Sequence, residues 1–138
     1  MPYSLNFRER QDYNPGEDGI TVPVILSTGY SQVKFLAKVD TGAANCIFQR
    51  EYAEELGIDV ETGSPKQFGT VAGSFLTYGH ELTLSALGYQ FDVTVYFSSV
   101  LGFPRNVLGR QGWLQLMRLG VVDYEGRIYA SRYDEEVP

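Results

Sequence analysis

A chain of 138 residues is long enough for one domain, and a domain of this size should bury roughly two-thirds of the surface its unfolded chain exposes. Its 43% apolar and 20% charged residues exclude a disordered or membrane-spanning protein, and ten tyrosines within an aromatic share of 14% favour strands over helices. A net charge of −6 offers no basic surface to phosphate, so nucleic acid is not an expected partner; with one His and one Cys, no metal site and no other cofactor are expected.

Residues 1–19 read as an N-terminal arm. Met1 to Glu17 carries Asn6, Arg8, Glu9, Arg10, Gln11 and Asp12 without the apolar run of a secretory signal. No later stretch reaches the roughly eighteen apolar residues of a membrane helix, so the expected location is the cytoplasm and no membrane partner is expected. Turn-rich Asn14-Pro15-Gly16-Glu17-Asp18-Gly19 separates the arm from a body over 20–131. Ile20, Val22, Val24 and Leu26 alternate to supply a buried face, and Pro23, lacking a ladder donor, predicts an edge position for that strand. Beyond a turn at Ser27 to Ser31, Val33, Phe35, Ala37 and Val39 alternate with Lys34 and Lys38, the pattern of a half-buried strand. That strand delivers the chain to Asp40-Thr41-Gly42-Ala43. Gly42 permits a sharp turn, through φ > 0 or close backbone approach, and small Ala43 leaves space beside the acid. Taken alone, Asp40 also reads as a solvated turn residue, because Asp bonds its own downstream backbone.

Phe48, Tyr52, Ala53 and Leu56 recur at helical spacing opposite Arg50, Glu51, Glu54 and Glu55, which predicts a short amphipathic helix ended by Gly57. Cys46, the single cysteine, allows no internal disulfide and reads as a small buried hydrophobe. After Ser64-Pro65, the run Gln67 to Phe75 sets small residues between two aromatic ones, the composition of a hairpin tip. His80 is expected to face water. Leu82, Leu84 and Ala86, then Phe91, Val93, Val95 and Phe97, predict two paired strands turned at Gly88. A loop over Ser98 to Arg105 leads to Val107-Leu108, apolar enough to pass through the core. Arg110 to Leu119, with Trp113, Leu114 and Met117 on one face and Gly120 as a stop, predicts a second helix, its Trp in the core. Val121 to Tyr124 and Arg127 to Ala130 read as a hairpin, and 132–138 as a frayed acidic tail. Many short strands with two short α-helices indicate a mainly β domain closed like a barrel.

A strand ending in Asp40-Thr41-Gly42-Ala43 resembles the active-site loop of the aspartic proteases, and the short chain points to their single-domain, retropepsin-like branch. Two further stretches carry the likeness. Ile47-Phe48 and Tyr52-Ala53-Glu54-Glu55-Leu56-Gly57-Ile58 resemble the helix entry and Leu-Gly-Ile exit that follow this loop in cellular members. Asn106-Val107-Leu108-Gly109-Arg110 resembles the family's second conserved element, two apolar residues and a glycine.

The resemblance implies the acid-protease fold, a closed β-barrel, and aspartic-type endopeptidase activity on a peptide or protein substrate, with Asp40 as the catalytic acid. It implies that Thr41 bonds across a dimer axis, that Gly42 bonds an extended substrate through its backbone, and that Thr70, Val71, Ala72 and Gly73 form the tip of a flap; an ordinary hairpin would use the same glycines for turn geometry. Carboxylate hydrolysis needs two acids, one ionised and one protonated. The chain holds one Asp-Thr-Gly, and Gly109-Arg110-Gln111 offers no acid, so a homodimer sharing two Asp40 side chains is implied. Two departures stand out. Ala44 replaces an acidic residue that pairs with the arginine of the second element in many viral members, so Arg110 needs another partner; and no terminal strands are readable that would interleave between subunits. The alternative is a catalytically silent module that keeps the fold to dimerise or bind peptides. A contact subunit of a larger assembly is a third reading.

Overall fold

The period-two stretches become strands around one interior in a computed structural model that describes all 138 residues, Met1 to Pro138. Strand β1 spans Glu9–Asp12, β2 Thr21–Thr28 and β3 Ser31–Val39. Val22, Val24 and Leu26 of β2 and Val33, Phe35 and Ala37 of β3 point inward from an antiparallel pair turned at Gly29, whose φ is +57°. Next come β4 (Ile47–Phe48), helix α1 (Arg50–Glu55), β5 (Ser64–Thr70), β6 (Gly73–Ala86), β7 (Tyr89–Ser98) and the two-residue β8 (Val107–Leu108). Strand β9 (Met117–Val122) and β10 (Arg127–Arg132) complete the chain.

Seven strands form one sheet in the order β2-β3-β8-β4-β7-β6-β5, and an additional β2–β6 pairing closes it into a ring. Closure explains the length of β6. Its second half, Thr83 to Ala86, pairs with β2 in the barrel wall, while its first half, Gly73 to Gly79, pairs with β5 and projects as a hairpin. The ring leaves β2 bonded on both sides over Val24 to Ser27, so β2 is not the edge strand that Pro23 predicted. Pro23 lies one residue before the β6 pairing starts, where its missing N–H costs no ladder bond.

Helix α1 forms as expected but begins later, since Phe48 belongs to β4. It ends in a Schellman arrangement: Gly57 N–H donates to Glu54 O and Ile58 N–H to Ala53 O, with Gly57 at φ +76°. Tyr52 stacks on Phe35 at 4.0 Å between centroids and seats the helix on β3. His80 does not simply face water. It is half-buried, and its Nε2 lies 2.8 Å from Val60 O. No helix is long and apolar enough to cross a membrane.

The predicted helix over Arg110 to Leu119 is absent. Gly112 sits at φ +100°, outside helical space, and the Gln111 N–H is taken by Ala44 O, so only a 3₁₀ turn forms at Leu114–Leu116. Met117 onward instead pairs with β10, and β1 adds on the far side to give a three-stranded sheet, β1-β10-β9. Gly120 stops no helix; its missing side chain accommodates the Phe7 ring, which a Cβ there would meet at 3.0 Å. The acidic tail is tied back at Glu135, whose carboxylate takes bonds from Arg8 and Tyr89. Trp113 is fully buried, and one cluster of 22 buried apolar residues includes both barrel residues and Ile128 and Ala130 of β10, so the second sheet shares the core.

Candidate active site

Backbone bonds, rather than side chains, place Asp40. The N–H groups of Lys38, Val39 and Asp40 donate to the carbonyls of Asn106 at 2.8 Å, Ile20 at 2.8 Å and Leu108 at 3.0 Å. Strand β8 therefore runs parallel to β3, which brings the chain to Asp40, and antiparallel to β4, which leads it away. Between these limbs the loop turns back with Ala43 N–H donating to Asp40 O at 3.2 Å, and the Asp40 carboxylate accepts the Gly42 N–H at 2.9 Å through Oδ1. Gly42 does not use a positive φ; the close approach of its backbone to that carboxylate is what it supplies.

The second element, Leu108-Gly109-Arg110, clamps this loop. Arg110 N–H donates to Ala43 O at 2.9 Å and Gln111 N–H to Ala44 O at 2.8 Å. The clamp needs glycine at 109, because a Cβ there would lie 2.1 Å from Asn45 O and 2.8 Å from Ala43 O. Asn45 is buried, and its Oδ1 accepts the Lys66 ammonium at 3.0 Å, which fastens the base of the β5–β6 hairpin to the loop. Next to it, Cys46 is buried, and burial pushes its thiol up to about 12 despite an opposing bond from the Gly109 backbone. It is a packing residue with no nucleophilic character at neutral pH.

A groove of about 710 Å³ separates the loop from the hairpin. Asp40, Gly42, Ala43 and Ala44 form one wall, Ile47 and Val107 contribute apolar surface, and Thr70, Val71 and Ala72 overhang it from the hairpin. The hairpin tip falls where the composition placed it: Thr70 faces Gly73 across a two-residue turn of Val71 and Ala72, Gly73 has φ +133°, and the Thr70 hydroxyl donates to Gly73 O at 3.0 Å. Gly73 itself does not line the groove. Its far side is aromatic. Phe68 and Phe75 pair across the hairpin at 5.8 Å, and Phe103 packs on Phe75 at 4.8 Å.

The structure thus brings Asp40, Gly42, Ala43 and three of the four hairpin-tip residues to one groove, with Leu108 and Gly109 behind the loop. Thr41 and Arg110 are exposed, and neither side chain bonds within the chain. Phe103, Arg105, Asn45 and Lys66 belong to the site without having been singled out in the sequence. The loop before β8 has no periodicity, and the Lys66–Asn45 bond joins residues whose proximity only the fold creates. Asp40 is the only acid lining the groove. Its carboxylate accepts hydrogen bonds and protons at the rim of a largely apolar cleft, and one chain supplies one such group.

A ring-closed β domain that presents an Asp-Thr-Gly loop under a hairpin, with a second glycine element clamping the loop, is the retropepsin-like acid-protease fold. Residues 19–111, which run from the turn before β2 through the clamp, match the family described as Aspartyl protease. The chain belongs to the aspartyl protease family. No curated protein sequence matches it as a relative.

Proposed function

We propose that the protein is a homodimeric aspartic endopeptidase whose active site forms when two Asp40 carboxylates meet across a two-fold axis. The observation that carries this reading is that Asp40 alone supplies carboxylate to a groove of peptide-binding size, so one chain holds half of the required pair. The exposed, unpartnered Thr41 hydroxyl and Arg110 guanidinium beside the loop support an axis on this face. An extended peptide would lie in the groove with its backbone against Gly42 on one side and the hairpin on the other. The ionised carboxylate takes a proton from water, whose oxygen bonds to the scissile carbonyl carbon while the protonated carboxyl gives its proton to the carbonyl oxygen. Collapse of the resulting diol breaks the C–N bond as the protonated carboxyl gives its proton to the amide nitrogen and the other carboxylate takes one from a diol hydroxyl, which returns the pair to one proton between two acids. The Thr70 to Gly73 tip serves as a flap that excludes water from this chemistry.

The test is a proteome-derived peptide library digested with wild type and Asp40→Asn. The amide keeps an oxygen for the Gly42 N–H, so the loop should hold its shape while cleavage falls by roughly 10³-fold or more, the scale for losing an essential group of a catalytic unit. A folded Asp40→Asn protein that cleaves as wild type does would refute the reading, and a wild type that cleaves nothing as a dimer would favour a silent peptide-binding module.

A further inference from the structure

A second hollow, of about 380 Å³, adjoins the groove beside Asp40 and differs from it in charge. Asp40, Pro104, Arg105 and Val107 line both, so the two are arms of one cleft. In the second arm stand two cations, Lys38 and Arg105. The chain carries a net charge of −6, and five of its eight arginines find carboxylates: Arg8, Arg10, Arg50, Arg127 and Arg132. Lys38 and Arg105 have no ion-pair or hydrogen-bond partner for their side chains within the chain, although Asp40 lines the same hollow.

Both cations sit on or beside backbone held by hydrogen bonds. Lys38 is the penultimate residue of β3, its N–H is held by Asn106 O, and its stem passes over Gly19, where a Cβ would lie 2.4 Å from Lys38 Cε. Arg105 sits between Pro104 and Asn106, and Asn106 is locked to Gln49 by reciprocal bonds of 2.9 and 3.0 Å. Two unpaired cations with exposed head groups at the edge of a partly apolar cleft attract a carboxylate and reject a cation.

We infer that this hollow is a side-chain pocket for an acidic residue of the substrate, Asp or Glu flanking the scissile bond, with Lys38 and Arg105 as the residues that determine that preference. The inference rests on the endopeptidase reading. Peptides carrying Glu at the flanking position should be cleaved about tenfold or more better in kcat/KM than the matched Gln peptides, the effect of a charge-assisted bond at a partly exposed site. Rising salt should shrink that ratio.

The experiment measures the Glu/Gln ratio of kcat/KM for wild type, Lys38→Gln, Arg105→Gln and Arg105→Glu, with Asp40→Asn as the inactive control and thermal unfolding to confirm each fold. Expected are a ratio near ten or above for wild type, a fall toward one in each Gln variant, and a preference for Lys over Glu in Arg105→Glu. The salt dependence of the wild-type ratio carries the test should a variant fail to fold. A wild-type ratio near one, with cleavage still lost in Asp40→Asn, overturns the acidic pocket and leaves the endopeptidase standing. Gln variants that keep the ratio but shift the dimer equilibrium in sedimentation also overturn it, by making the cations interface groups. Absence of any Asp40-dependent cleavage removes the endopeptidase reading and this inference with it.

Discussion

Replacing Gly109 with alanine tests whether the clamp behind Asp40 is as tight as the geometry requires. The new Cβ would lie 2.1 Å from Asn45 O, 2.5 Å from Asn45 C and 2.8 Å from Ala43 O, all backbone atoms that no rotamer change can remove. Ordinary contact begins near 3.4 Å, so the loop and the segment after β8 must separate by about 1 Å, which stretches the bonds from Arg110 N–H to Ala43 O and from Gln111 N–H to Ala44 O beyond useful length. Two backbone bonds at about 1 kcal/mol each, with about 1–3 kcal/mol of overpacking, give a loss of about 3–5 kcal/mol. Against a domain stability of about 5–15 kcal/mol this is severe, and at about 3–4 °C per kcal/mol it lowers Tm by about 9–20 °C. Gly69→Ala is the internal control: a Cβ at 69 meets nothing within 4 Å and φ there is not positive, so its stability should stay within about 1 kcal/mol of wild type. Thermal unfolding followed by near-ultraviolet circular dichroism reads both. A Gly109→Ala protein that melts within about 2 °C of wild type would show that the loop is not held by this close approach.

Three further outcomes follow from the same structure. Peptidase activity per chain should fall on dilution through the dimer dissociation constant, and full cleavage at concentrations where sedimentation finds only monomer would rule out the shared site. Glu135 is held below its ordinary value of 4.5 by the Tyr89 hydroxyl and then by Arg8, so it contributes stability that is present above pH 4.5 and lost as pH falls through its lower folded value. Glu135→Gln should therefore melt below wild type at pH 7, with the difference closing in acid; a difference that persists at pH 2 would mean the pairing is not what Glu135 contributes. Cys46, buried and with its thiol pushed up to about 12, should react with a thiol reagent at pH 8 only after denaturation, and rapid labelling of the native protein would contradict its place in the core.

How much of this was legible in the chain depends on the range of the forces involved. Alternation in Val33, Phe35 and Ala37, and in Leu82, Leu84 and Ala86, is a local record of which face is buried, and these strands were readable for that reason. So were the hairpin tip between Phe68 and Phe75, the Gly57 helix stop, and the passage of Val107-Leu108 through the core, because composition and turn chemistry act within a few residues. The Asp-Thr-Gly loop and the Leu-Gly-Arg element were readable as motifs, but not the reason for their pairing, which is the 2.1 Å approach that only glycine at 109 permits.

Only the tertiary structure decided the rest. Trp113, Leu114 and Met117 fit a helical face as well as they fit a turn followed by a strand; the outcome turned on Gly112 and on β10, whose edge offered Met117 to Val122 a ladder that an isolated helix could not match. Pro23 sits in a strand bonded on both sides because ring closure begins one residue later, a consequence of the reach of β6. That Lys38 and Arg105 line one hollow beside Asp40 has no trace in their spacing. It exists because β8 pairs in parallel with β3 and draws the preceding loop over the end of that strand, and a parallel pairing across so many residues leaves no periodic mark in either segment.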